Sequence, residues 1–358
     1  MSTQSNIRRA LVMDAVSQVL DNRVFRILFV LSSVFVAATF LVGFREDELS
    51  IGLGLLTYPY DEILADTPFE TLVGGASQQE QLIVLVQGVL AEVVAGTFGI
   101  LFCIAATSFF LPQLLQKGFA DSFFSKPVSR WQLIASRYFA SVLLIAFLAI
   151  FLVGGAYLGI LTASGFSDAG FLWSALTLIY TFSLISSFTI LFGALTRNTV
   201  ATLLLTFLAY FINGGIHTAW TGMGNFREDN FVAEIEQKRD EGLANDGAVI
   251  FFRVISAVLN PLHYTLPKTN DSDYITAKLR DRVVFDEEDF GGGTVTLTTD
   301  EGETIEQEGD SFQWLDYEQR LSWTGPLPTN LSFSIASSLA FVLAALGLAW
   351  RRVRKISF

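Results

Sequence analysis

Three sets of residues in this chain are of types that do chemistry. Glu92 stands at the edge of an apolar run, where an intramembrane carboxylate is a proton or cation site by default. His217, His263 and the single cysteine, Cys103, are residue types that ligate copper or zinc. Asn213, Gly214 and Gly215 interrupt a second apolar run, as a gate hinge or a plain helix end would. Each has a limit. The 19 residues from Val93 to Leu111 already suffice to cross a bilayer, which puts Glu92 at the outer boundary. No ligand spacing links the two histidines, and Cys103 falls on the other side of the barrier, so no metal site is expected. A lone cysteine also offers no disulfide framework within one chain. No G-x-x-x-x-G-K-[ST] occurs, so no loop cradles nucleotide phosphates and the chain by itself is not expected to be an enzyme or to carry a cofactor.

The elements that must position these residues are membrane spans. The chain has 358 residues, 51% of them hydrophobic and 33 of them Phe, with a mean hydropathy of +0.48. That is far more apolar than a soluble domain of this size needs. Six charge-free runs approach or exceed the roughly 20 residues a crossing helix requires: Ile27 to Phe44, Val93 to Leu111, Phe139 to Leu161, Phe171 to Leu195, Thr199 to Ile216, and Leu331 to Trp350. A charged amphipathic stretch precedes the first run and no small-residue cleavage site follows it, so it is expected to be a retained span. Residues 1–26 place Ile7, Leu11, Ala15 and Val19 on one helical stripe and Arg8, Arg9, Asp14 and Asn22 on the other side. They predict an interfacial helix on the inner leaflet, with a soluble helix as the alternative.

Basic residues set the orientation. Arg8, Arg9, Arg23 and Arg26 precede the first run, Lys117, Lys126, Arg130 and Arg137 lie between the second and third, Arg197 follows the fourth, and RRVRK follows the sixth. Six spans with both termini in the cytoplasm put all of these inside. The domain plan is then the interfacial helix at 1–26, spans one to five at 27–216 with a cytoplasmic loop at 112–137, an outer segment at 217–330, and span six with a basic tail at 331–358.

That outer segment carries 22 acidic and 9 basic residues, while the whole chain has a net charge of −12, so the acidity belongs to the segment. An anionic face repels phosphate, which argues against nucleic acid as a partner. It suits a solvated surface, a saline exterior or a basic extracytoplasmic partner. Within it GAVIFFRVISAVLNP, from Gly247, is apolar, too short to cross and carries Arg253, which predicts a re-entrant or interface-lying helix. GGGTVTLTTDEGETIEQEG alternates β-branched and polar residues around a DEGE turn and predicts a hairpin. Together they suggest a small α+β insert.

The cytoplasmic loop holds the most specific pattern, SFFSKPVSRWQLIASRYFAS from Ser122 to Ser141. Pro127 disfavours helix at Lys126. Ser129 with Gln132 three residues on reads as a capping box, with Val128 and Leu133 as a hydrophobic staple, so a helix begins at Arg130 and runs into the third span. Arg130, Trp131, Arg137 and Tyr138 then stand as interfacial anchors. Upstream, Phe119, Phe123 and Phe124 face the cytoplasm, and exposed phenylalanines there call for a partner.

On these residues the chain resembles the ABC-2 type permeases, the membrane subunits of a class of ABC transporters. LLQKGFADSFFSKPVSRWQLIASRYFAS is similar to their signature loop, which ends in K/R-P-[IV]-S-R before span three; ahead of it LPQLLQKGFAD has a K-G-x-x-D form in place of E-x-E-x-G-T. The six spans, the N-terminal helix and the long segment between spans five and six agree; the acidic stretch from about Thr269 to Pro328 is outside the resemblance. The resemblance implies an all-α polytopic membrane protein of ABC-2, type V exporter-like architecture, in a bacterial or archaeal cytoplasmic membrane. It implies a coupling helix that docks on a separate ATPase subunit holding ATP and Mg, through Phe119, Asp121, Phe123 and Phe124, with Lys126, Pro127 and Arg130 at its rim. It also implies a second copy of this chain or a related permease as partner, among membrane lipids. Glu92, Asn213 and Gly214 are the candidate pathway or gate residues.

Two functions follow. One is export of a lipid, hydrophobic compound, polymer or peptide; the other is a non-transporting complex that passes ATPase motion to the outer segment. An unrelated channel or receptor is a third.

Overall fold

The computed structural model describes residues 23–45, 48–60 (except 53), 78–115, 129–242, 245–280, 294–298, 304–308 and 320–355, together with Met13, Ser17 and Tyr317. The amphipathic stripe expected within residues 1–22 and the acidic run at 286–289 lie outside these residues. The chain divides into two compact units: residues 1–60, 78–212 and 338–358, and residues 61–77 and 213–337.

The first unit is helical, as its composition demands. In hydrocarbon a backbone N–H or C=O without a partner costs several kcal/mol, so an apolar chain satisfies itself within each helix. Its elements are α1 (Arg23–Leu41); α2 (Gln78–Gly88), continued by a π-helical stretch (Val89–Gly99) into α3 (Ile100–Thr107) and α4 (Phe110–Leu114); α5 (Arg130–Ser164); α6 (Trp173–Thr196); the start of α7 (Thr199–Gly222); and the end of α11 (Leu331–Arg354). Large apolar side chains such as Val34, Leu143, Ile150, Leu204 and Leu343 remain exposed along these helices, as lipid-facing residues do. The interior is a packed cluster of Leu111, Leu133, Ile134, Leu184, Ile190, Leu346 and Val353 from α4, α5, α6 and α11.

The capping box predicted at Ser129 is present. Ser129 Oγ accepts from the Gln132 N–H at 3.2 Å, and Gln132 Oε1 accepts from the Ser129 N–H at 3.1 Å. At the other end of α5, Gly165 adopts φ 71°, the left-handed cap that stops the helix. Arg197, at φ 54°, makes the tight turn from α6 into α7.

One packing device escaped the sequence reading. Gly155 and Gly159 form a G-x-x-x-G on α5, facing α1. A Cβ at Gly155 would come within 2.7 Å of Val36, and one at Gly159 would overlap Thr39. The two small residues let the helix backbones approach.

Four expectations change. The first helix ends at Leu41, and Val42–Phe44 instead open a three-stranded antiparallel sheet of β1 (Val42–Phe44), β2 (Glu48–Ile51) and β3 (Leu56–Pro59). Gly214 and Gly215 do not break the fifth run: α7 continues to Gly222, because the apolar pattern beyond them is buried against its own unit. Arg137, expected among the interfacial anchors, is packed inside its own unit and only 2% exposed. The run at Gly247 extends, from an Asn245 cap, to the 20-residue α9 (Asp246–Thr265). Among the described residues, seven helices rather than the six expected are therefore long and apolar enough to cross a membrane. This is a multi-pass membrane protein.

The second unit contains the rest of α7, α8 (Phe231–Asp240), α9, α10 (Asp271–Arg280) and the start of α11. Its β4 (Thr294–Thr298) pairs antiparallel with β5 (Thr304–Glu308), in the stretch where alternation predicts two strands.

Filling the α1–α5 contact tests its role. Gly159→Val is expected to destabilise the protein by about 1–3 kcal/mol through overpacking. Gly154→Ala, where a new Cβ meets nothing within 4 Å, should leave thermal unfolding in detergent unchanged or slightly raised.

Candidate functional site

The site with the densest chemistry lies in the second unit, around Asp271. This carboxylate is the first residue of α10 and fully buried, so it meets the positive end of a helix dipole. Ser334 at the start of α11 donates its hydroxyl to Oδ2 at 2.5 Å. The Tyr317 hydroxyl donates to Oδ1 at 3.4 Å. His217, on the last turns of α7, brings Nε2 within 2.9 Å of Oδ1. That approach is off the line of a hydrogen bond.

His217 reaches a second imidazole on its other side. Its Nδ1 lies 3.2 Å from Nδ1 of His263, near the end of α9, with ring centroids 5.0 Å apart and planes within 19°. Trp220 stacks on His263 at 3.6 Å, with planes 2° apart, and fixes its own ring by donating Nε1–H to Asn260 at 2.9 Å. Tyr317 stands edge-on to both His217 and Trp220. The two histidines are 5% and 2% exposed, so the pair is enclosed.

A buried cation completes the cluster. Lys268, 4% exposed, donates to Ser337 Oγ at 2.8 Å and lies 5.2 Å from the Phe333 ring centre. A cavity of about 10 Å³ opens beside Asn213, His217, His263 and Lys268, room for about one water molecule.

Electrostatics follow from this packing. Burial alone would raise the Asp271 pKa, but the charge and proximity of His217, the Ser334 hydroxyl and His263 outweigh it and hold the carboxyl below its usual value. Burial lowers the Lys268 pKa, with Asp271 pulling the other way. Burial, then the Asp271 charge, drives the Tyr317 phenol far up, so it stays a neutral donor.

The residues singled out from sequence are distributed differently. Phe119, Asp121, Phe123, Phe124, Lys126 and Pro127 lie outside the described residues. Arg130 does not: its Nη1 donates to the Val353 and Arg354 carbonyls at 2.6 and 2.8 Å, a cation at the C-terminal end of α11. Glu92 sits on the exposed face of the π-helical stretch, inside an apolar helical run, Leu82–Leu114, that is 33 residues long. Counting about 20 residues back from Leu114 leaves it just beyond a crossing. Asn213 is buried and donates to Pro267 O and Thr269 Oγ1, both at 2.9 Å, tying α7 to the turn before α10. Gly214 lies beside Asn270.

The histidines, judged unlinked in sequence, are thus in contact, and the structure adds Asp271, Lys268, Tyr317 and Ser334, which sequence reasoning passed over. The available signal was that the only two histidines each close an apolar run. No group of three or more His, Cys, Asp or Glu able to hold a metal occurs among the described residues. No family model, curated protein or solved structure matches the chain.

The depressed Asp271 pKa has a signed consequence. A carboxyl with a folded value below its unfolded value, about 3.9, contributes stability that is present above about pH 4 and lost as pH falls through the folded value. Asp271→Asn is expected to cost roughly 3–5 kcal/mol near neutral pH, as loss of one partner of a buried charged pair does. The gap to wild type should close below about pH 4. Thermal unfolding in detergent across that range reads both.

Proposed function

We propose that this chain is the membrane subunit of an ATP-driven exporter of the ABC-2 type, powered by a separate ATPase subunit and working with a second copy of itself or a related permease. The observation that carries the reading is the junction at the loop after α4. The K-P-V-S-R element, Lys126 to Arg130, leads into a helix capped by Ser129 and Gln132, and Arg130 is anchored on the last carbonyls of α11. A push on the loop would pass directly into α5, a single rod of 35 residues, and into the end of α11. A capped start and a long unbroken helix are what a loop needs to transmit force rather than absorb it.

Six crossing helices with both termini in the cytoplasm fit the basic residues best. α9 then lies at the outer membrane surface. Its exposed face carries Ile250, Phe251, Val254 and Val258, while Ser256 and His263 are buried; Arg253 is paired with Glu236 at 2.5 Å. An apolar outer face interrupted by one paired cation suits a helix lying in the headgroup boundary. The cargo class is a lipid, hydrophobic compound, polymer or peptide moving outwards.

The buried polar network of the second unit favours a second reading, a complex that transmits ATPase motion to an outer domain without transport. A cavity between two copies, open to the bilayer, would favour export; a closed seam would favour mechanical work.

Affinity purification from mild detergent, followed by mass spectrometry, tests the ATPase partnership. Wild type should retain a P-loop ATPase, and Phe123→Asp with Phe124→Asp should lose it while keeping the wild-type thermal unfolding temperature. Wild type that purifies without an ATPase would sink the proposal.

A further inference from the structure

The two imidazoles at 3.2 Å impose proton bookkeeping of their own, independent of whether the protein is a permease. A short Nδ1–Nδ1 contact needs a hydrogen on one nitrogen and a lone pair on the other. Asp271, held ionised, faces His217 Nε2 at 2.9 Å, so that nitrogen carries a hydrogen. A neutral His217 therefore has a bare Nδ1, and His263 must be the ring that supplies Nδ1–H. This leaves His263 Nε2 a bare acceptor, and it is buried without a hydrogen-bond partner. In this state Asp271 and Lys268 balance one another; Tyr317 is a neutral donor to the carboxylate, and the rings of Tyr264 and Tyr274 border His263 and Tyr317.

We propose that His217, His263 and Asp271 form a proton-binding relay. One proton taken up at His263 Nε2 releases the bridging Nδ1 hydrogen to His217, and the resulting imidazolium stands against Asp271. The N–H bond at His263 Nε2 forms, that at His263 Nδ1 breaks, and that at His217 Nδ1 forms. The charge of the pair rises by one and the contact survives with its direction reversed. A second proton cannot be accommodated, because both Nδ1 atoms would then carry hydrogens and the rings must part. The cavity lined by both histidines offers room for about one water, and Trp220, stacked on His263, restricts rotation of the ring so that tautomer exchange, not reorientation, moves the proton.

The chain contains only two histidines, so its ¹⁵N-histidine spectrum reports this pair alone when the purification tag contains no histidine. The full-length protein in lipid nanodiscs should show, near neutral pH, one ring as the Nε2–H tautomer and the other as Nδ1–H. On acidification one ring should become doubly protonated at the same midpoint at which the other changes to Nε2–H. Asp271→Asn should move that midpoint down by about one pH unit, a tenfold weaker proton affinity. Two rings titrating independently, both rings as Nε2–H at neutral pH, or no change in either ring between about pH 5 and 8 would each overturn the relay. A midpoint unmoved by Asp271→Asn would remove Asp271 from it. The wild-type spectrum decides the main point even where the variant does not fold.

Discussion

The fold rests on one constraint: a chain this apolar has no solvent within the membrane to complete its backbone hydrogen bonds. Every long run must close its bonds within itself, and helices do that without a neighbour. The same constraint governs the hydroxyls scattered through the helices. Thr107, Ser136, Ser141, Thr181, Ser187 and Thr206 each donate to a carbonyl three or four residues back. A polar side chain is thereby satisfied without any tertiary partner, and the small residue leaves room for the next helix.

In the second unit, polar groups that do not close locally are gathered together. An aspartate, a lysine and two histidines are buried there. The carboxylate is tolerable there because Ser334, Tyr317, His217 and the first turn of α10 all meet it. The aromatic wall of Trp220, Phe226 and Tyr317 packs apolar surface around the cluster, and the low local dielectric strengthens each of those contacts. The arrangement is costly to assemble and sensitive to a single proton, a combination more useful to a working part than to a core that only has to hold together.

The loop junction shows how a short sequence element gains leverage. A serine caps the helix, and the arginine next to it fastens that helix to the end of another. Each interaction contributes about a kilocalorie or a few, but together they fix the direction in which a 35-residue helix leaves the loop.

The membrane class, the apolar runs, the cap at Ser129 and the strands at Thr294 and Thr304 were legible in the sequence by itself, because each depends on composition or on contacts within a few residues. Helix ends were legible less well. Gly214 and Gly215 read as a stop, yet α7 passes through them, since burial of Trp220 and His217 outweighs the propensity cost of two glycines. Val42–Phe44 read as span, yet pairing with β2 claimed them. The Gly155–Gly159 approach and the burial of Arg137 depend on which face meets which neighbour. The histidine pair was beyond sequence altogether. His217, His263 and Asp271 belong to three different helices, and only tertiary packing determines that three residues so far apart along the chain share one set of protons.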